Sequence, residues 1–237
     1  MSERSVSLRI IYRRERIRSG GRMRLRHIPG SEEEIENSTW VYHSPEETQK
    51  NISSPLYVEI GMGKGRFIME NAFTYPDISF IGIEMYESVM VKATRKLDSL
   101  PDDEKPLNLH LIRMDARDIC DFFPKESIDR IYLNFPDPWP KARHAGRRLT
   151  SSGFLKRYDS ILKKDGRIEL KTDNLDLFKF SLEEARASGY EISYVTYDLH
   201  ADEEAMKSNI MTGYEQKFSS LGNKICRYVI RRSLTSV

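Results

Sequence analysis

The segment VEIGMGKGRF places Gly61, Gly63 and Gly65 directly after an apolar run, with a carboxylate, Glu59, two positions before the first glycine. Glycines at such a turn permit positive φ and let a ligand approach the backbone closely. The spacing is not that of a phosphate-binding P-loop, and Arg66 stands where a dinucleotide fingerprint has its third glycine. A carboxylate inside an apolar stretch needs partners, so Glu59 is a candidate to hold the loop amides or a cationic ligand. Glu84 closes the next apolar run and Asp115 the one after. An acid at the first position can accept from both hydroxyls of a ribose, and one at the second can meet an adenine amino group. Each acid alone also reads as a cap or turn residue. Three in succession after a glycine turn suit S-adenosylmethionine, which offers a diol, an adenine and a sulfonium, and lacks the pyrophosphate that nicotinamide sites seat on a helix N-terminus.

A fourth run ends in NFPDPWPKARHAGRRLT, spanning Asn134 to Thr150. Three prolines make this a rigid, non-helical loop in which Asp137, Trp139 and Lys141 sit together. Such a loop suits alkyl transfer to a nucleophile that has no proton to lose, where alignment and a carboxylate that offsets migrating positive charge suffice. Lys141, Arg143, His144, Arg147 and Arg148 follow without an intervening acid, a pattern that grips phosphates while an aromatic stacks on a base. Asp173 follows a fifth run and reads either as a substrate contact or as the cap of a helix that opens at Asn174. Thr212, Tyr214 and Glu215 lie in a polar connection and read as ligand contacts or as a local cap. His27, His43, His110 and His200 show no pairing that suggests metal binding or catalysis.

These residues require a frame in which strands end at one rim. Leu56–Met62, Ser79–Met85, Leu107–Ala116, Ile128–Phe135 and Gly166–Thr172 read as strands, alternating with helices over Lys64–Phe73, Glu87–Leu100, Ser152–Lys163 and Asn174–Ser188. The alternation predicts an α/β fold with parallel strands and helices on both faces, its site at the carboxyl ends of the strands. Tyr190–Leu199 and Lys224–Ser233 add a final antiparallel pair. Five β/α units followed by such a pair resemble the seven-stranded, mostly parallel sheet of the Rossmann-like methyltransferases, and seven strands are expected.

Charge is unevenly distributed over the 237 residues. Residues 1 to 26 hold nine arginines against Glu3 and Glu15, a surplus of +7, and Lys141 to Arg148 add +4, so a net charge of +2 leaves the remainder at −9. Two basic segments on an otherwise acidic chain fit a phosphate-binding surface, while either segment alone reads equally as a basic tail or a solubilising surface. Cys120 and Cys226 lack metal-ligand spacing, and no metal is expected. No apolar run is long enough for a membrane helix, and the arginine-rich N-terminus lacks a secretory core, so a cytoplasmic protein without membrane contact is expected.

The segments VEIGMGKGRF, GIEM, PDPWPKARHAGRR, LKTDN and TGYEQKF occur in the order and spacing of the bacterial tRNA (guanine-N7)-methyltransferases, which the chain resembles from about Leu56 to Phe218. The PDPW segment with its basic tail is the most specific part. Ala145, Gly146 and Gly213 depart from the commonest pattern, where larger polar or basic residues are frequent. The resemblance implies methyl transfer from S-adenosylmethionine to N7 of the guanosine at position 46 in the variable loop of tRNA. It also implies cofactor contacts from Glu59, Gly61, Gly63, Glu84, Asp115 and Asp137, with Asp137 nearest the transfer. Lys141, Asp173, Thr212, Gly213, Tyr214 and Glu215 would meet the substrate, and Arg143, His144, Arg147 and Arg148 the RNA. The expected layout is a basic, partly flexible arm over residues 1–50 and a methyltransferase domain over 51–237, as a monomer or homodimer. Methylation of another RNA and non-catalytic RNA binding by the same fold are the alternatives.

Overall fold

The five apolar runs that alternate with amphipathic segments become parallel strands in the computed structural model, which describes residues 27–232; the arginines of residues 1–26 lie outside them. In chain order the elements are α1 (Ser31–Glu36), β1 (Val41–Tyr42), α2 (Pro45–Asn51), β2 (Leu56–Ile60), α3 (Arg66–Thr74), β3 (Ser79–Glu84), α4 (Glu87–Asp98), β4 (Leu109–Arg113), α5 (Ile119–Phe122), β5 (Ile128–Asn134), α6 (Ser152–Ile161), β6 (Leu162–Thr172), α7 (Leu175–Ala187), β7 (Tyr190–Thr196), α8 (Glu203–Lys207), α9 (Gly213–Ser219) and β8 (Cys226–Arg232). The sheet order is β1-β4-β3-β2-β5-β6-β8-β7, parallel up to the β5–β6 pair and antiparallel where β8 inserts between β6 and β7. Strands are added to one side of β2 as far as β4 and to its other side from β5 onward, so the order of winding switches beside β2 and the carboxyl ends of the parallel strands β2, β3 and β5 border one crevice.

The sheet has eight strands, where seven were expected. The additional strand is β1, whose Val41 and Tyr42 pair with Leu111 and Ile112 of β4. Two residues are too few to display a period, but Val41 is buried and Tyr42 stacks on His110 with ring centroids 4.2 Å apart. Residues 31–50, expected to belong to the arm, therefore contribute an edge strand, one helix and all but the last residue of a second to the body. Ile35 is buried there, and Glu34 of α1 is ion-paired to Arg95 of α4. The sixth strand also begins earlier than Gly166, at Leu162, with a shift of register against Ile128 and Arg130.

Two apolar layers clamp the sheet. Phe154, Leu155, Tyr158 and Phe178 of α6 and α7 cover one face, while Ile68, Met69, Met90, Val91 and Leu97 of α3 and α4 cover the β2–β4 half of the other. Burying each such side chain contributes about 1.5–3 kcal/mol. Gly82 in β3 allows the turn after β2 to press against the sheet, since a Cβ there would lie 2.3 Å from the Met62 sulfur.

Candidate functional site

The turn after β2 is fixed from beneath by two bonds, Gly61 N and Met62 N each donating to Ile83 O at 2.9 Å. Gly61 and Gly63 have φ of 77° and 58°, and a Cβ on either would meet nothing within 4 Å, so their open sides face free space. Beside this space Glu59 is 2% exposed. Its Oε1 accepts from Asn134 Nδ2 at 2.8 Å, while Oε2 is buried without a partner among the described residues. Burial pushes the Glu59 carboxyl up to about 7 against the pull of the Asn134 bond, the Lys171 charge and the Ile68 backbone N–H, which lies too far or too oblique for a full hydrogen bond to Oε2. An unmatched buried acceptor costs about 1–3 kcal/mol. The unmatched oxygen and the free space over the glycines fit a ligand that brings a donor or a cation.

Glu84, at the end of β3, accepts from Gly63 N at 3.1 Å, Met85 N at 2.9 Å and Tyr86 N at 3.1 Å. Burial raises its pKa most, the three amides oppose that, and the charge of Asp137 adds to the rise. Glu84 thus binds the glycine turn to its own strand end. Asp115 follows β4 and caps the next turn, accepting from Arg117 N at 2.9 Å and Arg117 Nη2 at 2.6 Å; the Arg117 bond holds its pKa below the ordinary carboxylate range. The three acids near the strand ends and Asp137 therefore lie along one rim, with Asp115 also capping the turn that follows it.

The loop after β5 carries two bulky residues at positive φ, Phe135 at 50° and Trp139 at 41°. Such backbone persists only where its surroundings over-determine it, and it clusters at functional sites. Arg148 supplies much of that restraint: its guanidinium donates to Pro138 O at 3.0 Å and Trp139 O at 3.1 Å and lies 4.1 Å from the Phe180 ring centroid. Arg147 lies over the Trp139 ring at 5.1 Å, and His144 meets the same ring edge-on at 5.6 Å. Asp137, Lys141, Arg143 and Arg147 are exposed on this loop. Of the expected RNA contacts, Arg148 is engaged with the loop itself.

The run from Thr212 to Glu215 divides similarly. Thr212 Oγ1 caps α9 by accepting from Glu215 N at 2.9 Å, and the Glu215 side chain is fully buried. Glu215 meets Lys171 Nζ at 3.1 Å, His200 Nε2 at 3.0 Å and Asn209 Nδ2 at 2.7 Å. Burial would raise its pKa, but the Lys171 charge and these bonds outweigh it and hold the carboxyl below its usual value. Lys171 Nζ also donates to Asn209 Oδ1 at 2.5 Å and Ile210 O at 2.9 Å. Tyr214, 43% exposed, projects to the rim, its ring 4.7 Å from Phe135 and 4.0 Å from Phe218, its hydroxyl 3.5 Å from Asp173 Oδ2. Gly213 is exposed beside it. Thr212 and Glu215 are thus internal supports, while Lys141, Asp173, Gly213 and Tyr214 remain accessible. Sequence reasoning missed the residues that support these candidates, Asn134 beside Glu59 and Lys171, Asn209 and His200 around Glu215.

Residues 53–228 match the family described as putative methyltransferase. The chain is 50% identical over 216 residues, 89% of its length, to a tRNA (guanine-N(7)-)-methyltransferase of Lachnoclostridium phytofermentans, 99% of which is covered. It is 48% identical over 86% of its length to a protein of the same description from Bacillus cytotoxicus, 95% of which is covered. Among solved structures it resembles an antibiotic-related methyltransferase, with TM-score 0.58 and 19% identity over 79% of this chain and 92% of that one. A 16S rRNA (adenine(1408)-N(1))-methyltransferase of Catenulisporales acidiphilia with its cosubstrate SAM gives TM-score 0.55 and 14% identity over 81% and 93%. At these identities the structural likeness speaks for the fold.

Proposed function

The chain belongs to the tRNA (guanine-N7)-methyltransferase family, and from that premise we infer that it transfers the methyl group of S-adenosylmethionine to N7 of a guanosine in tRNA, the one at position 46 of the variable loop. The observation that carries this reading is the single rim on which Glu59, with an unmatched oxygen, Glu84, Asp115 and Asp137 border an open glycine turn beside a rigid Trp-containing basic loop. When bound, S-adenosylmethionine supplies a methyl group on a sulfonium, an electrophile that needs no metal. Guanine N7 offers a lone pair and no proton, so the N–C bond forms as the C–S bond breaks and the sulfur keeps the pair. Positive charge passes to the purine. The residues have no proton to abstract; their part is alignment and charge compensation.

Glu59 and Glu84 would face the amine and ribose of the cofactor, Asp115 its adenine, and Asp137 would offset the migrating charge from the loop. Asp173 and Tyr214 would hold the guanine edge from the opposite side of the rim, with Trp139 available to stack on a base. Lys141, Arg143, His144 and Arg147 would bind phosphates, and the arginines of residues 1–26 extend the same role. No helix among the described residues is long and apolar enough to cross a membrane. We assign the activity to the cytoplasm, where tRNA is modified. The test is nucleoside mass spectrometry of unmodified tRNA incubated with the protein and the methyl donor. 7-Methylguanosine is expected; a different methylated nucleoside, or none, overturns the reading.

A further inference from the structure

On the sheet face shared with α3 and α4, the β5–β8 half carries a row of side chains in direct register. Tyr57 of β2 is paired with Arg130 of β5, Arg130 with Arg167 of β6, Arg167 with Arg231 of β8 and Arg231 with Glu191 of β7. Register partners project to the same side of a sheet, so three guanidiniums lie abreast. Like charges directly opposite one another destabilise a sheet. Among the described residues none of the three forms an ion pair: Glu191 makes none with Arg231, and Glu169 in the adjoining row is taken by Arg227 at 3.0 Å.

Arg130 stacks on Tyr57 and Tyr132, at 4.7 and 5.6 Å from their ring centroids, and donates to Tyr132 Oη at 2.9 Å. Its Nε is buried with no partner. Burial and the charges of Arg130 and Arg231 hold the Arg167 guanidinium below its usual pKa. A cavity of about 280 Å³ opens beside the row, lined among others by Tyr57, Arg130, Tyr132, Glu169 and Arg227.

We propose that this arginine row is a second RNA-binding surface, taking backbone phosphates of the tRNA away from the methylation rim. The proposal rests on the tRNA reading above. Arg167, whose charge is disfavoured by Arg130 and Arg231 on its two sides, gains once phosphates lie across the row, because each contact offsets that repulsion and releases counterions. Arg130 precedes Asn134 by four residues on β5, so the row lies about 13 Å from the rim at 3.3 Å per residue. A folded RNA seated at the rim spans that distance.

The test uses the full chain with Arg167→Ala and Arg231→Ala together, and the corresponding double Lys variant. Binding of unmodified tRNA is measured across a salt series. With Ala, Kd at 0.1 M salt is expected to rise roughly tenfold and the slope of log K against log salt to fall by about two, one per lost phosphate contact. Lys should restore both. Thermal melting of the Ala variant should match or exceed the parent, since a repulsion has been removed. Parental Kd and slope in the Ala variant overturn the proposal. A melting shift of the parent by inorganic phosphate beyond matched chloride, lost in the Ala variant while the tRNA slope is unchanged, identifies a free-phosphate site and overturns the RNA contact. If the parent methylates no tRNA, the underlying reading fails instead, an outcome the parent control reveals separately.

Discussion

Glu59 holds its proton unusually tightly because folding removes water from it, and the Asn134 amide, the Lys171 charge and the Ile68 backbone N–H make up only part of the loss. Its carboxyl titrates near 7 in the folded chain against an ordinary 4.5. Between those values the folded state keeps a proton that the unfolded state has released, so stability present below pH 4.5 is lost as pH rises to about 7, on the order of 3 kcal/mol. Urea melts of the parent and Glu59→Gln should therefore diverge between about pH 4.5 and 7, the parent losing stability relative to the variant; parallel curves across that window would return Glu59 to ordinary status. A cation beside Glu59 favours its charged form, so donor binding at pH 6 should release a proton, detectable by calorimetry in buffers of different ionisation enthalpy. Asp137 differs in being exposed on the loop after β5. Asp137→Ala should lower turnover of tRNA by about 10²–10³-fold, the range for removing one preorganised electrostatic contact, with circular dichroism unchanged; near-parental turnover removes Asp137 from the mechanism. Position at or just beyond the strand ends made these acids legible in the sequence, because parallel strands send all their carboxyl ends to one rim. The direction of a side chain was not legible: Arg148 and Glu215 look as available as Arg147 and Tyr214 until their partners are seen.

Within β6, alternation assigns Arg167, Glu169 and Lys171 to a single polar face, which reads as solvated, yet Lys171 is 1% exposed and bound to Glu215 of α9. A seven-residue helix is too short to hold itself together, and this pair with the Thr212 cap attaches α9, and so Tyr214, to the sheet. Lys171→Met should cost about 3–5 kcal/mol by leaving Glu215 charged and buried, read as a fall in urea midpoint. Adding Glu215→Leu should recover most of that loss; failure to recover it would mean the pair acts through something other than charge. The loop after β5 makes a comparable division. Arg148→Ala should lower methyl transfer by releasing Pro138 and Trp139 without changing the salt slope of tRNA binding, while Arg147→Ala should reduce the slope by about one. Equal slopes in the two variants would contradict that division. The long helices and the five parallel strands were readable because each runs over enough residues to show a period. Val41–Tyr42, the start of β6 at Leu162 and the short helices were not, since two to seven residues carry almost no periodic signal and owe their structure to neighbours such as Leu111 and His110.

For the whole molecule, a net charge of +2 conceals the separation that governs RNA binding. At about 0.15 M salt, charges more than roughly 8 Å apart are largely screened, so the acidic remainder does not cancel the basic loop locally. Removing residues 1–26 would lower the net charge from +2 to −5, because that segment contributes +7, while every described residue from α1 to β8 stays in place. Ile35 and Val41 lie inside the body, so a cut at residue 50 would strip the edge strand from β4, whereas a cut after residue 26 spares it. A chain beginning at His27 should melt within a few degrees of the full chain and bind the demethylated cofactor product with the same affinity. Its tRNA affinity should be lower at 0.1 M salt, with a salt slope reduced by roughly one for each phosphate the arginines held. If that slope matches the full chain, the arm contacts no phosphate, and RNA binding rests on the loop and the sheet face alone.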